Sequence, residues 1–87
     1  MKNNNVKVCD QCTKWYNDEG QLHCLDGPAI IWKNGDMSWY KNGQRHREDG
    51  PSIEFGNKYK AWFLNDIQYT QLQFNVKIYC IKNVESR

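Results

Sequence analysis

Three short motifs in this chain carry residue types that can do chemistry. Cys9-Asp10-Gln11-Cys12 is a C-x-x-C pair. His-x-x-Asp-Gly-Pro occurs twice, from His23 through Asp26, Gly27 and Pro28, and from His46 through Asp49, Gly50 and Pro51. Two thiolates at that spacing are half of a zinc site, and Cys24 with Cys80 could complete four. Cys24 and Cys80 each stand alone, however, so the second half lacks paired spacing. Inert free thiols, a disulfide and redox chemistry are the other uses. Redox is the weakest of these, because no helix start follows the pair to lower a thiol pKa. A His three residues before an Asp could be an acid–base pair. The architectural account is stronger: Asp before Gly-Pro bonds the following backbone in an Asx-type turn, Gly takes up the unusual φ, and His packs over the turn and donates to the Asp or to a carbonyl. An active site rarely needs two copies on neighbouring segments. With no nucleophile–base pairing, Gly-rich phosphate loop or paired carboxylates, the chain reads as a non-enzyme.

The elements that must position these motifs come from a repeat. Gln21 to Asn42 slides onto Gln44 to Asn65, superposing His23 on His46, Asp26-Gly27-Pro28 on Asp49-Gly50-Pro51, Ile30 on Ile53, Trp39 on Trp62 and Asn42 on Asn65. A fixed period in the low twenties marks stacked units, each burying its apolar face only against its neighbours. Within a unit, a β-prone run (Pro28 to Lys33) meets Asn34-Gly35, a strong signal for a two-residue type I′ hairpin turn. Asp36 to Lys41 returns, and Asn42-Gly43 turns again. Gly56-Asn57 and Asn65-Asp66 stand in for these turns in the second unit. Alternation places Ile30 with Trp32, Met37 with Trp39 and Ile53 with Phe55, so the expected fold is mainly β: an antiparallel β-hairpin repeat meander with a continuous aromatic face. Lys14-Trp15-Tyr16-Asn17 through Gly20-Gln21 resembles the closing strand of an earlier unit, with one residue inserted before the glycine. Thr70-Gln71-Leu72-Gln73 fits a capping box, and Phe74, Ile78 and Ile81 fall on one face of a C-terminal helix. A strand is the rival there, since Phe74, Val76 and Ile78 also alternate.

Size and composition bound the rest. At 87 residues the chain is one domain, divided into a C-x-x-C cap (1–13), the hairpin repeats (14–69) and a C-terminal cap (70–87). Such a small core often needs a staple such as a metal, a disulfide or a second subunit. Four Trp, five Tyr and three Phe must supply most of the buried area, because the mean hydropathy is only −0.93. A formal charge of +2, with scattered Lys and Arg, names no electrostatic partner. Neither a signal peptide nor a membrane span is legible, so a cytoplasmic location with reduced cysteines is expected and no membrane partner. The aromatics could stack bases while Arg45, Arg47, Lys58 and Lys60 neutralise phosphates, but such residues are more often core, and nucleic acid is an unfavoured partner.

The run Gly43-Gln44-Arg45-His46-Arg47-Glu48-Asp49-Gly50-Pro51, with Trp-Tyr or Trp-Phe before each turn, resembles the "HREDGPA" tandem repeats of tailed-phage and giant-virus proteins, whose hairpin layout is similar to MORN repeats. The resemblance covers Lys14 to Phe74 and brings no catalytic residues. It implies a phage accessory protein in a bacterial cytoplasm, acting on a host or antiviral-defence protein as a small inhibitor or modulator. Trp15, Trp39, Trp62, Arg45 and Arg47 are the expected protein-binding residues, and open strand edges could also pair two copies as a homodimer. Two other functions stay open: a ligand-sequestering protein for a small molecule or nucleotide, and a zinc-stabilised nucleic-acid binder.

Overall fold

Short β-prone runs alternate with turn residues along most of the chain. In the computed structural model, which describes residues 5–85, they form nine strands and one helix. The strands are β1 (Val6–Val8), β2 (Cys12–Trp15), β3 (Ile30–Trp32), β4 (Met37–Ser38), β5 (Tyr40–Lys41), β6 (Gln44–Arg45), β7 (Ile53–Glu54), β8 (Lys60–Leu64) and β9 (Ile67–Tyr69); α1 spans Gln71–Glu85. Seven strands make one antiparallel sheet in the order β1-β2-β3-β4-β7-β8-β9, and β5 pairs with β6 in a separate hairpin. The fold is therefore mainly β with a C-terminal helix, as the hydrophobic pattern predicts.

Consecutive hairpins meet at the residue after each Asp-Gly-Pro. Ala29 and Ser52 are both 0% exposed. The Trp15 N–H donates to the Ala29 carbonyl at 2.8 Å, and the Ala29 N–H donates to Ser38 at 2.8 Å. In the same arrangement Trp39 donates to the Ser52 carbonyl at 2.7 Å, and Ser52 donates to Ala61 at 2.9 Å. The Ser52 hydroxyl adds a further bridge, accepting from the Phe63 N–H at 2.7 Å and donating to its carbonyl at 3.2 Å.

Pairing register then sorts the two faces. Ile30 lies opposite Ser38, Ser38 opposite Ile53, and Ile53 opposite Ala61. On the same side Trp32 meets Phe55 edge-on with centroids 5.9 Å apart, and Phe55 leans on Tyr59 at 5.7 Å. Met37 pairs instead with Ile31 and Glu54, on the opposite face. The expected single aromatic face is thus divided, because side chains alternate along a strand and it is Ser38, not Met37, that the register sets across from Ile30.

The turns also differ from the dipeptide reading. Asn42 and Gly43 (φ 51° and 83°) and Asn65 and Asp66 (φ 50° and 69°) are type I′ turns, both central residues being left-handed. Asn34-Gly35 is not. Gly35 donates to the Trp32 carbonyl, and Trp32 to Asp36, which closes a three-residue loop with only Gly35 left-handed (φ 98°). The second such loop is Gly56-Asn57-Lys58, so Lys58 (φ 73°) takes the glycine's conformation and Gly56 does not. Asn34 and Asn57 Oδ1 accept the N–H two residues on, at 3.0 and 3.1 Å, which holds both loops.

The C-terminal segment is helical, and the strand alternative does not occur. The Thr70 hydroxyl accepts from the Gln73 N–H at 3.1 Å, and Gln73 Oε1 accepts from the Thr70 N–H at 2.9 Å, a reciprocal capping box. Phe74, 4% exposed, is the helix's principal anchor, and α1 lies against β8 and β9.

Ser52→Ala should cost about 1–3 kcal/mol, because the Phe63 N–H and carbonyl lose a buried partner. Lys58→Gly should add about 0.5–1 kcal/mol by removing a left-handed Cβ. Urea unfolding checks both as midpoint shifts at unchanged slope.

Candidate functional site

Each histidine of the repeated motif is bound to the turn that follows it. His23 Nδ1 accepts from the Asn42 N–H at 2.9 Å, and His46 Nδ1 accepts from the Asn65 N–H at 3.0 Å. An accepting Nδ1 places the proton on Nε2, and His46 Nε2 faces Glu48 Oε2 at 2.9 Å. In place of the expected donation to the Asp or to a carbonyl, Nδ1 accepts from a type I′ turn 19 residues away. Asp26 accepts from the Cys24 thiol at 3.4 Å, and Asp49 from Arg47 Nε at 2.8 Å. Gly27 and Gly50 are not left-handed, so the strained-turn role expected of them also falls. Gly50 has a packing reason instead: a Cβ there would lie 2.9 Å from Arg47 Cζ, whereas at Gly27 it would meet nothing within 4 Å.

The two arginines join neighbouring units. Arg47 lies over the Trp39 ring, 3.8 Å from its centroid, and also reaches Asp49, the Pro51 carbonyl (3.1 Å) and Glu54 (3.1 Å). Arg45 covers Phe63 at 4.2 Å, and its Nε donates to Asp66 at 2.6 Å. These hydrogen bonds hold the Asp49 and Asp66 carboxyls below the usual range and raise Arg45. Both arginines thus sit on aromatic rings with carboxylates of the same chain beside their charges. Trp15, Trp39 and Trp62 are half-buried. Trp39 lies under Arg47, and Trp62 shares a cleft with Glu54, Lys60, Phe74 and Ile78.

The cysteines separate into three places. Cys9 and Cys12 close the β1–β2 hairpin, their sulfurs 3.2 Å apart. Cys24 borders the cleft that contains Trp39, where burial pushes its thiol up, and Cys80 lies on α1. Among the described residues no three His, Cys, Asp or Glu groups gather closely enough to hold a metal ion. Cys24 lies in the loop before β3 and Cys80 on α1, so the four cysteines are not gathered at the hairpin tip.

One surface escaped the sequence reading. β9 ends the sheet and pairs only with β8. Beside it Tyr69, Leu72, Val76, Lys77 and Cys80 line an open groove of about 710 Å³. Leu72 is 74% exposed, Tyr79 69% and Ile67 59%. The signal was present: Leu72, Val76 and Tyr79 stand at i, i+4 and i+7, a second stripe beside the Phe74, Ile78 and Ile81 one.

Compared with protein families, curated proteins and solved structures, the chain matches none. No helix among the described residues is long and apolar enough to cross a membrane.

Gly50→Ala should destabilise by about 1 kcal/mol more than Gly27→Ala, and the excess should vanish in an Arg47→Ala background. A double-mutant cycle in urea measures that coupling.

Proposed function

We propose that this chain is a non-enzymatic protein-binding module that captures an extended segment of a partner protein along β9 and the outer stripe of α1. The observation that carries the reading is the contiguity of an unpaired sheet edge with an apolar groove. Backbone groups along the free side of β9 offer hydrogen bonds to an added strand, while Tyr69, Leu72 and Val76 receive its alternate side chains. Lys77 on the rim favours a segment whose flanks are acidic. The resemblance to phage repeats supports a small phage-encoded inhibitor or modulator, with a bacterial host or antiviral-defence protein as the target.

A binding surface of this kind concentrates its energy in a few apolar anchors. Tagged full-length protein and a Leu72→Asp/Val76→Asp variant should be used as baits in nuclease-treated bacterial lysate at moderate salt. The expected result is one near-stoichiometric protein on the wild type, reduced at least roughly tenfold on the variant, with circular dichroism and melting unchanged. Equal capture by a folded variant would exclude this face. An empty wild-type bait that carries a small molecule would favour the ligand-sequestering reading, for which Trp39, Lys41 and Lys82 border a cleft of about 610 Å³.

A further inference from the structure

The C-x-x-C pair has no part in the docking surface, yet its two sulfurs are the only cysteine pair among the described residues that a hydrogen bond joins. Val8 lies opposite Thr13, and the Cys9 N–H donates to the Cys12 carbonyl at 2.9 Å, so Cys9 and Cys12 face one another across the hairpin end. Directly opposed residues of an antiparallel pair have Cα atoms about 4.5–5.5 Å apart, inside the span of about 4.4–6.8 Å that a disulfide bridges. The sulfurs, 3.2 Å apart, need to close by little more than one ångström to reach about 2.05 Å.

We propose that Cys9 and Cys12 are a reversible dithiol–disulfide couple at the tip of the first hairpin, closed by exchange with a low-molecular-weight disulfide such as oxidised glutathione. Cys9 is exposed and Cys12 half-buried, so the reagent meets Cys9 first. The Cys9 thiolate attacks one sulfur of the reagent, forming a mixed disulfide and releasing one glutathione thiol. Cys12 then gives up its proton and attacks the Cys9 sulfur, releasing the second glutathione. Two cysteine thiols are oxidised and one reagent disulfide is reduced to two thiols. The hydrogen bond between the two sulfurs lowers the Cys9 thiol pKa and raises that of Cys12, which divides the roles of attacking and resolving sulfur without a helix N-terminus. Cys24 makes a poor competitor, since its thiol donates to the Asp26 carboxylate and burial raises its pKa. The closed ring would brace a tip that already supports the sheet: Gln11 accepts from the Lys33 N–H at 2.7 Å, and Cys12 lies opposite Trp32.

Full-length protein should be equilibrated in reduced and oxidised glutathione mixtures, acid-quenched, alkylated and peptide-mapped by mass spectrometry. The expected product is a loss of two hydrogens, about 2 Da, in the peptide holding Cys9 and Cys12, at least roughly tenfold in excess over its glutathione adduct. The same product should form in Cys24→Ser/Cys80→Ser protein, and excess thiol should reverse it. Cys12→Ser protein should instead keep glutathione on Cys9. A persistent adduct on wild-type Cys9 would overturn the proposal. So would loss of the two hydrogens in the Cys24→Ser/Cys80→Ser background failing to appear.

Discussion

Everything in the sheet hangs on a position that has no room. Ala29 and Ser52 are fully enclosed, and each joins the strand before it to the strand after it through its own carbonyl and amide. A larger side chain would force the neighbouring hairpins apart and break both backbone bonds at once, since close-packed interiors give way poorly. The smallness of that residue therefore sets how near one hairpin stands to the next. Ser52 goes further than Ala29: its hydroxyl occupies both hydrogen-bonding groups of Phe63, so the buried polar atom is fully satisfied.

Around this junction the remaining polar residues act as ties between units. A histidine takes the free amide of the next type I′ turn, and an arginine lies flat on an aromatic ring while its charge meets carboxylates of the same chain. Cation–π contacts and half-buried ion pairs are individually modest. Here they extend the cover over half-buried aromatic rings around a small core of Ile30, Ala61, Phe63, Leu64 and Phe74, in a molecule only 17 Å through its thinnest dimension. That thinness also explains the unclaimed apolar surface. Phe74 fastens α1 to the sheet, and the opposite stripe of the helix has no second layer to cover it. The cleft beside Trp39 is lined largely by polar and charged residues, whereas the groove at β9 is lined by Tyr69, Leu72 and Val76.

Local chemistry was legible wherever the physical cause was local. Thr70 and Gln73 satisfy each other's backbone across three residues, so their types alone predict the helix start. Asn42-Gly43 and Asn65-Asp66 read correctly as two-residue turns because both positions tolerate left-handed φ. At Asn34-Gly35 the same dipeptide misled, for loop length depends on which residues pair across the hairpin, and Trp32 with Asp36 leaves three between them. Lys58 shows the same override: pairing of Phe55 with Tyr59 imposes a left-handed conformation that its side chain disfavours.

What the sequence determined by itself was the mainly β fold, the two type I′ turns and the C-terminal helix, all consequences of local pattern and of contacts a few residues long. Only the tertiary structure decided the roles of the long-range groups. His23 and His46 found acceptor roles toward turns nineteen residues on, Arg45 and Arg47 settled over the Phe63 and Trp39 rings, and Cys24 and Cys80 came to lie apart from the C-x-x-C pair. Strand register, which a composition pattern constrains but does not specify, put Met37 behind the sheet and left β9 at its edge. Side-chain partners across such distances follow from which backbone amides meet, and that is settled only when the hairpins pack.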